Sequence, residues 1–192
     1  MEYKTIVLDL LERVMHLEEK VSLLESELNV IGKNEDKLEN KITRNGSRKY
    51  VIEELIKNNP DFAIEKGNRA SKADIIFTKQ ENEITYNLKA KFYHSRSFKD
   101  FPSGWHTVSK DDILNEDINM YIFNIEYQQE FYTFLFSRLD ILKFVVNKLK
   151  DQNNLYHFYF HVTGGREMEV RDKEKNASKH FNNWTLPSQL LK

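Results

Sequence analysis

Residues 73–91 read ADIIFTKQENEITYNLKAK. Two runs rich in β-branched and aromatic residues, Ala73–Thr78 and Ile84–Lys91, flank a polar turn, Gln80-Glu81-Asn82-Glu83, and this pattern predicts a β-hairpin. In the second run Ile84, Tyr86, Leu88 and Ala90 alternate with Thr85, Asn87, Lys89 and Lys91, so one face of the strand is apolar and the other polar. Asp74 opens the first strand. The hairpin therefore carries a carboxylate on one strand and an amide with two ammonium groups on the other.

Outward from the hairpin the elements follow in a definite order. Upstream, Ser47 is positioned to cap a short helix with Val51, Ile52, Leu55 and Ile56 on its apolar face, stopped by Asn58-Asn59-Pro60. A strand over Phe62–Glu65 follows, then the loop Lys66–Lys72, rich in small and basic residues. Downstream, Trp105 leads to a short capped segment at Ser109-Lys110-Asp111-Asp112. An apolar strand Ile118–Ile125, a strand Phe131–Phe136 and a helix near Leu139–Leu149 come next.

This order, with Asp74 at the head of one strand and Asn87-Leu88-Lys89 on the next, resembles the PD-(D/E)XK nuclease superfamily in its restriction-enzyme and Holliday-junction-resolvase branches. The resemblance covers roughly residues 47–145. It implies an α/β fold, a restriction-endonuclease-like mixed central sheet flanked by helices. It also implies a metal-dependent endonuclease that hydrolyses phosphodiester bonds in DNA. In that family an Asp on the first hairpin strand and an acid two residues before a Lys on the next meet in space. Asp74 matches the Asp and Lys89 the Lys, but Asn87 stands where the family has its acid and Ala73 where it often has Pro. The family's helical Glu has no counterpart, since Arg48 and Lys49 fall near its place while Glu53 and Glu54 come later.

Carried onto this chain, the resemblance makes Asp74, Asn87 and Lys89 the catalytic set and Asp74 and Asn87 the ligands of Mg²⁺ or Mn²⁺. The chemistry suits the residue types. A divalent cation polarises a phosphoryl oxygen and activates water, and Mg²⁺ takes oxygen ligands, usually one or two carboxylates with waters. An ammonium group on the same face would orient the nucleophile or offset developing negative charge. Arg69, Lys72, Lys91 and Arg96 are the expected nucleic-acid contacts. Phe92, Tyr93 and Phe98 lie among them and read either as base-stacking groups or as core aromatics under a surface loop.

A different pattern occupies residues 1–44. Val7, Leu10, Val14, Leu17, Val21, Leu24, Leu28 and Ile31 recur at steps of three and four, resuming at Leu38 and Ile42. That is a heptad seam with mostly Val at a and Leu at d, the choice that favours a parallel two-stranded coiled coil. Arg13 with Glu18 and Lys20 with Glu25 would attract across it. Gly32 weakens this helix, and Asn45-Gly46-Ser47 reads as the break between a dimerisation helix, 1–44, and a nuclease-like domain, 45–192. An amphipathic helix packed on its own domain is the other reading of the stripe.

Charge is distributed unevenly although the net charge is −1. Residues 45–110 hold 12 Lys/Arg against 8 Asp/Glu, and the segments on either side are net acidic. A modest basic segment is what a phosphate-binding face requires. With no cysteine there are neither disulfides nor thiolate metal sites. No apolar run reaches membrane-span length, and the charged first residues do not read as a secretory signal, so a cytoplasmic protein is expected. His157 and His161 alternate with Tyr159 on one strand face and lack a third zinc ligand, which favours a structural role. Two alternatives to the nuclease stay open: a catalytically degenerate nucleic-acid-binding or assembly module on the same fold, and a coiled-coil adaptor whose globular end binds protein.

Overall fold

The computed structural model describes Val14, Leu17, Lys20, Val21 and residues 43–68 and 70–191. The chain divides into two compact units, Met1–Lys41 and Ile42–Lys192. In the first unit the four described residues are helical, and Val14, Leu17 and Val21 are exposed at 48%, 59% and 50%. They hold successive a, d and a places of the heptad pattern. The remaining seam positions and the pairs proposed across it lie outside the described residues.

The second unit opens with α1, Arg44–Asn58. Thr43 caps it, its hydroxyl accepting from the Gly46 N–H at 3.1 Å. Asn45-Gly46-Ser47, expected to be a break, is instead the first turn of this helix, and Ser47 is buried in it rather than capping it. Ser47, Val51 and Leu55, at steps of four, form the buried stripe. Asn59 ends the helix. Its amide donates to the Leu55 carbonyl and to the Trp184 carbonyl, and its oxygen accepts from Ser188, so the C-terminal segment is tied to α1.

Strands β1 (Ala63–Lys66), β2 (Ile75–Glu81), β3 (Ile84–Arg96), β5 (Met120–Tyr127) and β6 (Glu130–Ser137) form one sheet in that order. Every pair is antiparallel except β3 with β5, which is parallel, so the sheet is mixed and the unit is α/β. The β3–β5 crossover runs through β4 (Ser103–Ser109) and α2 (Lys110–Leu114), which Ser109 caps by accepting from Asp112 N–H. β4 leaves the first sheet and pairs with β7 (Leu155–Thr163), β8 (Arg166–Glu169) and β9 (Lys175–Asn176) in a second one. Helix α3, Arg138–Val145, follows β6, and a one-turn α4, Leu186–Gln189, closes the chain.

β5 explains the layering. Its apolar run is buried on both faces, as a parallel-paired central strand must be. Met120 and Ile122 face α1, together with Phe77, Leu88, Ala90 and Phe92. Tyr121, Phe123 and Ile125 face the other way, toward Phe158 and Phe160 of the second sheet. Phe160 stacks on Phe134 at 4.5 Å, and Phe123 lies 5.1 Å from Phe160 and 5.2 Å from Phe158. Truncating Phe123 to Ala would cost about 3–5 kcal/mol, typical of a fully buried aromatic. One face of the central sheet is thus covered by α1 and the C-terminal segment. The other is covered mainly by a second sheet, with α2 and α3, where the resemblance implied helices.

The β2–β3 turn positions everything that follows. Ladder pairing continues to Glu81↔Ile84, leaving only Asn82 and Glu83, both at positive φ, as the turn. β3 also runs on past Lys91 to Arg96, so the segment expected to be a surface loop is strand paired to β5. Phe92 is wholly buried and Tyr93 stacks on Phe123, which removes both from base stacking; Phe98 is 75% exposed.

Candidate nucleic-acid interface

The two-residue turn sets the register of the expected catalytic residues. Ile75 pairs with Ala90, Ile76 with Lys89 and Thr78 with Asn87. Asp74 donates its N–H to the Ala90 carbonyl at 2.9 Å and accepts the Phe92 N–H on Oδ2 at 3.1 Å, so the β3 residue it faces is Lys91. Asn87 lies four residues along the ladder from that point, about 13 Å away at 3.3 Å per residue. Its Oδ1 accepts from the Thr78 hydroxyl at 3.2 Å on an exposed part of the hairpin. The expected sharing of one cation by Asp74 and Asn87 does not occur. Lys89 faces Ile76 and lies 3.8 Å from Asp117.

What surrounds Asp74 instead is positive. Arg44 and Arg48, one turn apart on α1, bring guanidinium nitrogens to 3.6 and 3.5 Å from Asp74 Oδ1. Arg44 also donates to the Phe92 carbonyl at 2.9 Å, and Arg48 to Asn45 Oδ1 at 2.7 Å, which fixes both forks. Lys91 Nζ is 2.7 Å from Asp112 Oδ1, and the Tyr93 hydroxyl donates to Asp112 Oδ2 at 3.2 Å. Burial and the neighbouring Asp112 carboxylate hold the Tyr93 hydroxyl well above its ordinary 10.0, so it stays a donor. Gly67, Asn68, Lys72, Ala73, Asp74 and Lys91 line an open depression here.

The depression's rim is built by local chemistry. Asn68 and Ser71 bond each other's backbone three times, closing the loop on itself. Gly67 is required by close approach, because a Cβ there would sit 2.1 Å from the Ala73 oxygen. The loop delivers Lys72, exposed and at φ 54°, beside Asp74. Arg69 lies outside the described residues. Arg96 is farther along β3, its Nε donating to Glu126 at 3.0 Å.

A divalent cation does not fit this donor set. Both Asp74 oxygens are engaged, Asn87 is remote, and the helix that would have to offer an acid offers two guanidiniums. Among the described residues no three His, Asp or Glu side chains gather as ligands. Asp74 and Asn87 therefore do not form a shared site for the expected Mg²⁺ or Mn²⁺. An anion, by contrast, would meet Arg44, Arg48, Lys91 and Lys72 around a site whose fixed negative charges are Asp74 and Asp112.

A second polar array lies behind it. Ser47 Oγ is 2.9 Å from His94 Nδ1, and His94 Nε2 is 3.6 Å from Glu126. The order of groups is that of a nucleophilic triad, but Ser47 is fully buried and gives its only proton to Asn124 Oδ1 at 2.6 Å. His94 must then donate to Ser47. Burial pulls the His94 pKa below 6.5 against the opposing pull of Glu126. Asn124 in turn donates to Thr133, so the array joins α1, β3, β5 and β6. It fixes α1 against the sheet, and with it Arg44 and Arg48.

Arg44 and Asp112 were not legible as site residues, and Tyr93, read as a base-stacking candidate, serves instead as a hydroxyl donor to Asp112. The one available signal was the four-residue spacing of Arg44 and Arg48 just before an apolar stripe.

No family model and no curated protein matches this chain. A solved structure of a bacterial homing endonuclease, I-Ssp6803I, is similar to it over 78% of this chain and 91% of that one, with TM-score 0.49 and 14% sequence identity. The chemistry of this chain rests on its own residues.

Proposed function

We propose that the Ile42–Lys192 unit binds the phosphate backbone of DNA without cleaving it. In this reading it is a restriction-endonuclease-like core whose metal site has been replaced by fixed cations. The observation that carries the proposal is the Asp74 carboxylate held between Arg44 and Arg48, with Lys91 at the β3 position it faces. In the PD-(D/E)XK arrangement that position would carry the second acid and α1 the helical Glu. Here both are basic, so the charge needed to meet a phosphate is supplied by side chains rather than by a cation. The order helix, β1, β2, β3 and a β5 parallel to β3 supports the nuclease-like descent. The stem, with Val14, Leu17 and Val21 exposed, supports a homodimer that presents two such sites.

The test pairs binding with cleavage. Four cations, Arg44, Arg48, Lys72 and Lys91, each contribute about 0.9 to the salt slope if they meet phosphates, so log K against log[salt] should fall with a slope of roughly −2 to −4 per chain. Fluorescence anisotropy of a labelled duplex between about 50 and 200 mM salt measures it. Incubation with Mg²⁺ or Mn²⁺ should leave the duplex intact. Cleavage that depends on Asp74 and metal would overturn the proposal in favour of a nuclease, and a flat salt dependence would remove the phosphate contact altogether.

A further inference from the structure

The outward face of the second sheet carries a strip of rings that the core does not use. By strand alternation Trp105 of β4 and His157, Tyr159 and His161 of β7 share one face, while His106, Phe158 and Phe160 point into the core. Phe101, just before β4, joins the strip. Trp105 lies 5.3 Å from His157 and 5.7 Å from Tyr159; His161 lies 4.5 Å from Tyr159 and 5.1 Å from Phe101. None of these five rings belongs to either buried apolar cluster of the unit. Each is only partly covered.

Cations sit on the same rings. The Arg171 guanidinium is 4.4 Å from the Trp105 ring centroid, and Lys99 Nζ is 5.9 Å from Phe101 and 6.0 Å from Tyr159. The neighbouring acids are largely occupied. Asp151 accepts the Asn153 and Leu155 N–H groups and His157, and Asp172 lies 3.2 Å from the buried Lys148 and 3.8 Å from Arg171 Nε. Glu174 is the acid whose charge reaches His161. A protein partner seated on an apolar face would meet aliphatic groups there, whereas this face offers π surfaces with positive charge lying on them.

We propose that this face is a stacking platform for the unpaired bases of a single-stranded nucleic acid, distinct from the Asp74 depression and not resting on the reading given to it. Bases stack on the Trp105 and Tyr159 rings, and Lys99 and Arg171 meet the phosphates between them. The spacing suits an extended strand. Ring-bearing residues two apart on β7 are separated by about 6.7 Å, about twice the 3.4 Å rise of nucleotides along one duplex strand. A strand bound at that pitch has its bases unstacked from each other and free to lie on protein rings.

The chain has two tryptophans, so the full chain carrying Trp184→Phe reports on Trp105 alone. Oligothymidine should quench its fluorescence saturably, and a duplex of equal length should not. In parallel, anisotropy of labelled oligothymidine with otherwise native protein should show that Tyr159→Ala weakens binding on the order of tenfold, while Tyr159→Phe, which keeps the ring, binds as the native chain does. If Tyr159→Ala fails to fold by urea denaturation, Tyr159→Leu keeps apolar bulk without a π face and should weaken binding similarly. Absence of quenching, or equal affinity of the ring-deleted variant, overturns the proposal. Arg48→Met separates the two sites. It should weaken duplex binding and leave the Trp105 quench unchanged, and a quench lost in Arg48→Met but kept in Tyr159→Ala would overturn the platform while leaving the Asp74 site standing.

Discussion

Replacing Asp74 with Asn distinguishes a metal centre from a cation cluster by the sign of its effect. In a metal-dependent nuclease the change removes a ligand and with it binding and cleavage. Here it removes the negative charge that holds Arg44 and Arg48 at 3.6 and 3.5 Å. A phosphate oxygen hydrogen-bonded to the outer side of either guanidinium, about 2.8 Å from nitrogen, would lie about 6–7 Å from the carboxylate. Repulsion between unit charges at that distance is about 0.6 kcal/mol in bulk water and about 2.6 kcal/mol at an effective dielectric of about 20. The site is open, so an intermediate value near 1.4 kcal/mol, or about a tenfold gain in affinity, is expected for Asp74→Asn. The substitution is conservative, because the Asn oxygen still accepts the Phe92 N–H. Stability should move the opposite way, falling by about 1–2 kcal/mol as a partly exposed pair of ion contacts is lost. Anisotropy with a labelled duplex and urea denaturation measure the two quantities on one preparation. Weaker DNA binding by a folded Asp74→Asn would refute the cation-cluster reasoning.

Acid should destabilise the second unit through its buried histidines. Burial drives His106 down to about 3 and His180 to about 4 from an ordinary 6.5. The unfolded chain therefore binds protons below pH 6.5 that the native state refuses, and stability is lost as pH falls through 6.5 towards those values. At about pH 5 each histidine costs about 2 kcal/mol, partly offset by Glu169, whose buried carboxyl is raised above 4.5. Urea midpoints at about pH 7 and pH 5 check this, and an unchanged midpoint would contradict it. For the stem, light scattering should give about twice the 23.0 kDa chain mass for the full chain and a single chain mass once residues 1–41 are deleted. A full-length monomer at micromolar concentration would exclude the parallel dimer.

The elements were more legible than their register. The run through Ile118–Ile125 read as an apolar strand, and it is buried on both faces. Ser109 was recognised as a cap because its hydroxyl precedes a turn with acids at its start. The hairpin was recognised, but Gln80 and Glu81 read as turn when they are the last ladder residues of β2. A four-residue turn over 80–83 would set Asp74 opposite Lys89, close to Asn87. The observed turn moves Asp74 two residues on, to Lys91. Polar residues at a strand end carry no information on whether they are paired, so the slip was invisible. The same ambiguity hid the end of β3. His94 and Arg96 look like loop residues until Ser47 on α1 and Glu126 on β5 supply their partners, and those lie 47 and 30 positions away.

That two-residue difference carries the functional conclusion. With Asn87 beside Asp74, an amide and a carboxylate would face a common point, and a weak cation site would follow. With Lys91 there, and Arg44 and Arg48 one helical turn apart on α1, neither the Asp74 nor the Asp112 carboxylate can ligate a metal without first releasing an ion pair. The arrangement is held from behind. Ser47 lies between Arg44 and Arg48 on the helix and donates to the buried Asn124, so both arginines are anchored to β5 through one hydroxyl. The site's positive charge is thus a consequence of how α1 is fixed to the sheet. Changes that loosen that anchor, with every surface cation intact, should disperse the cluster and weaken phosphate binding as surely as removing an arginine.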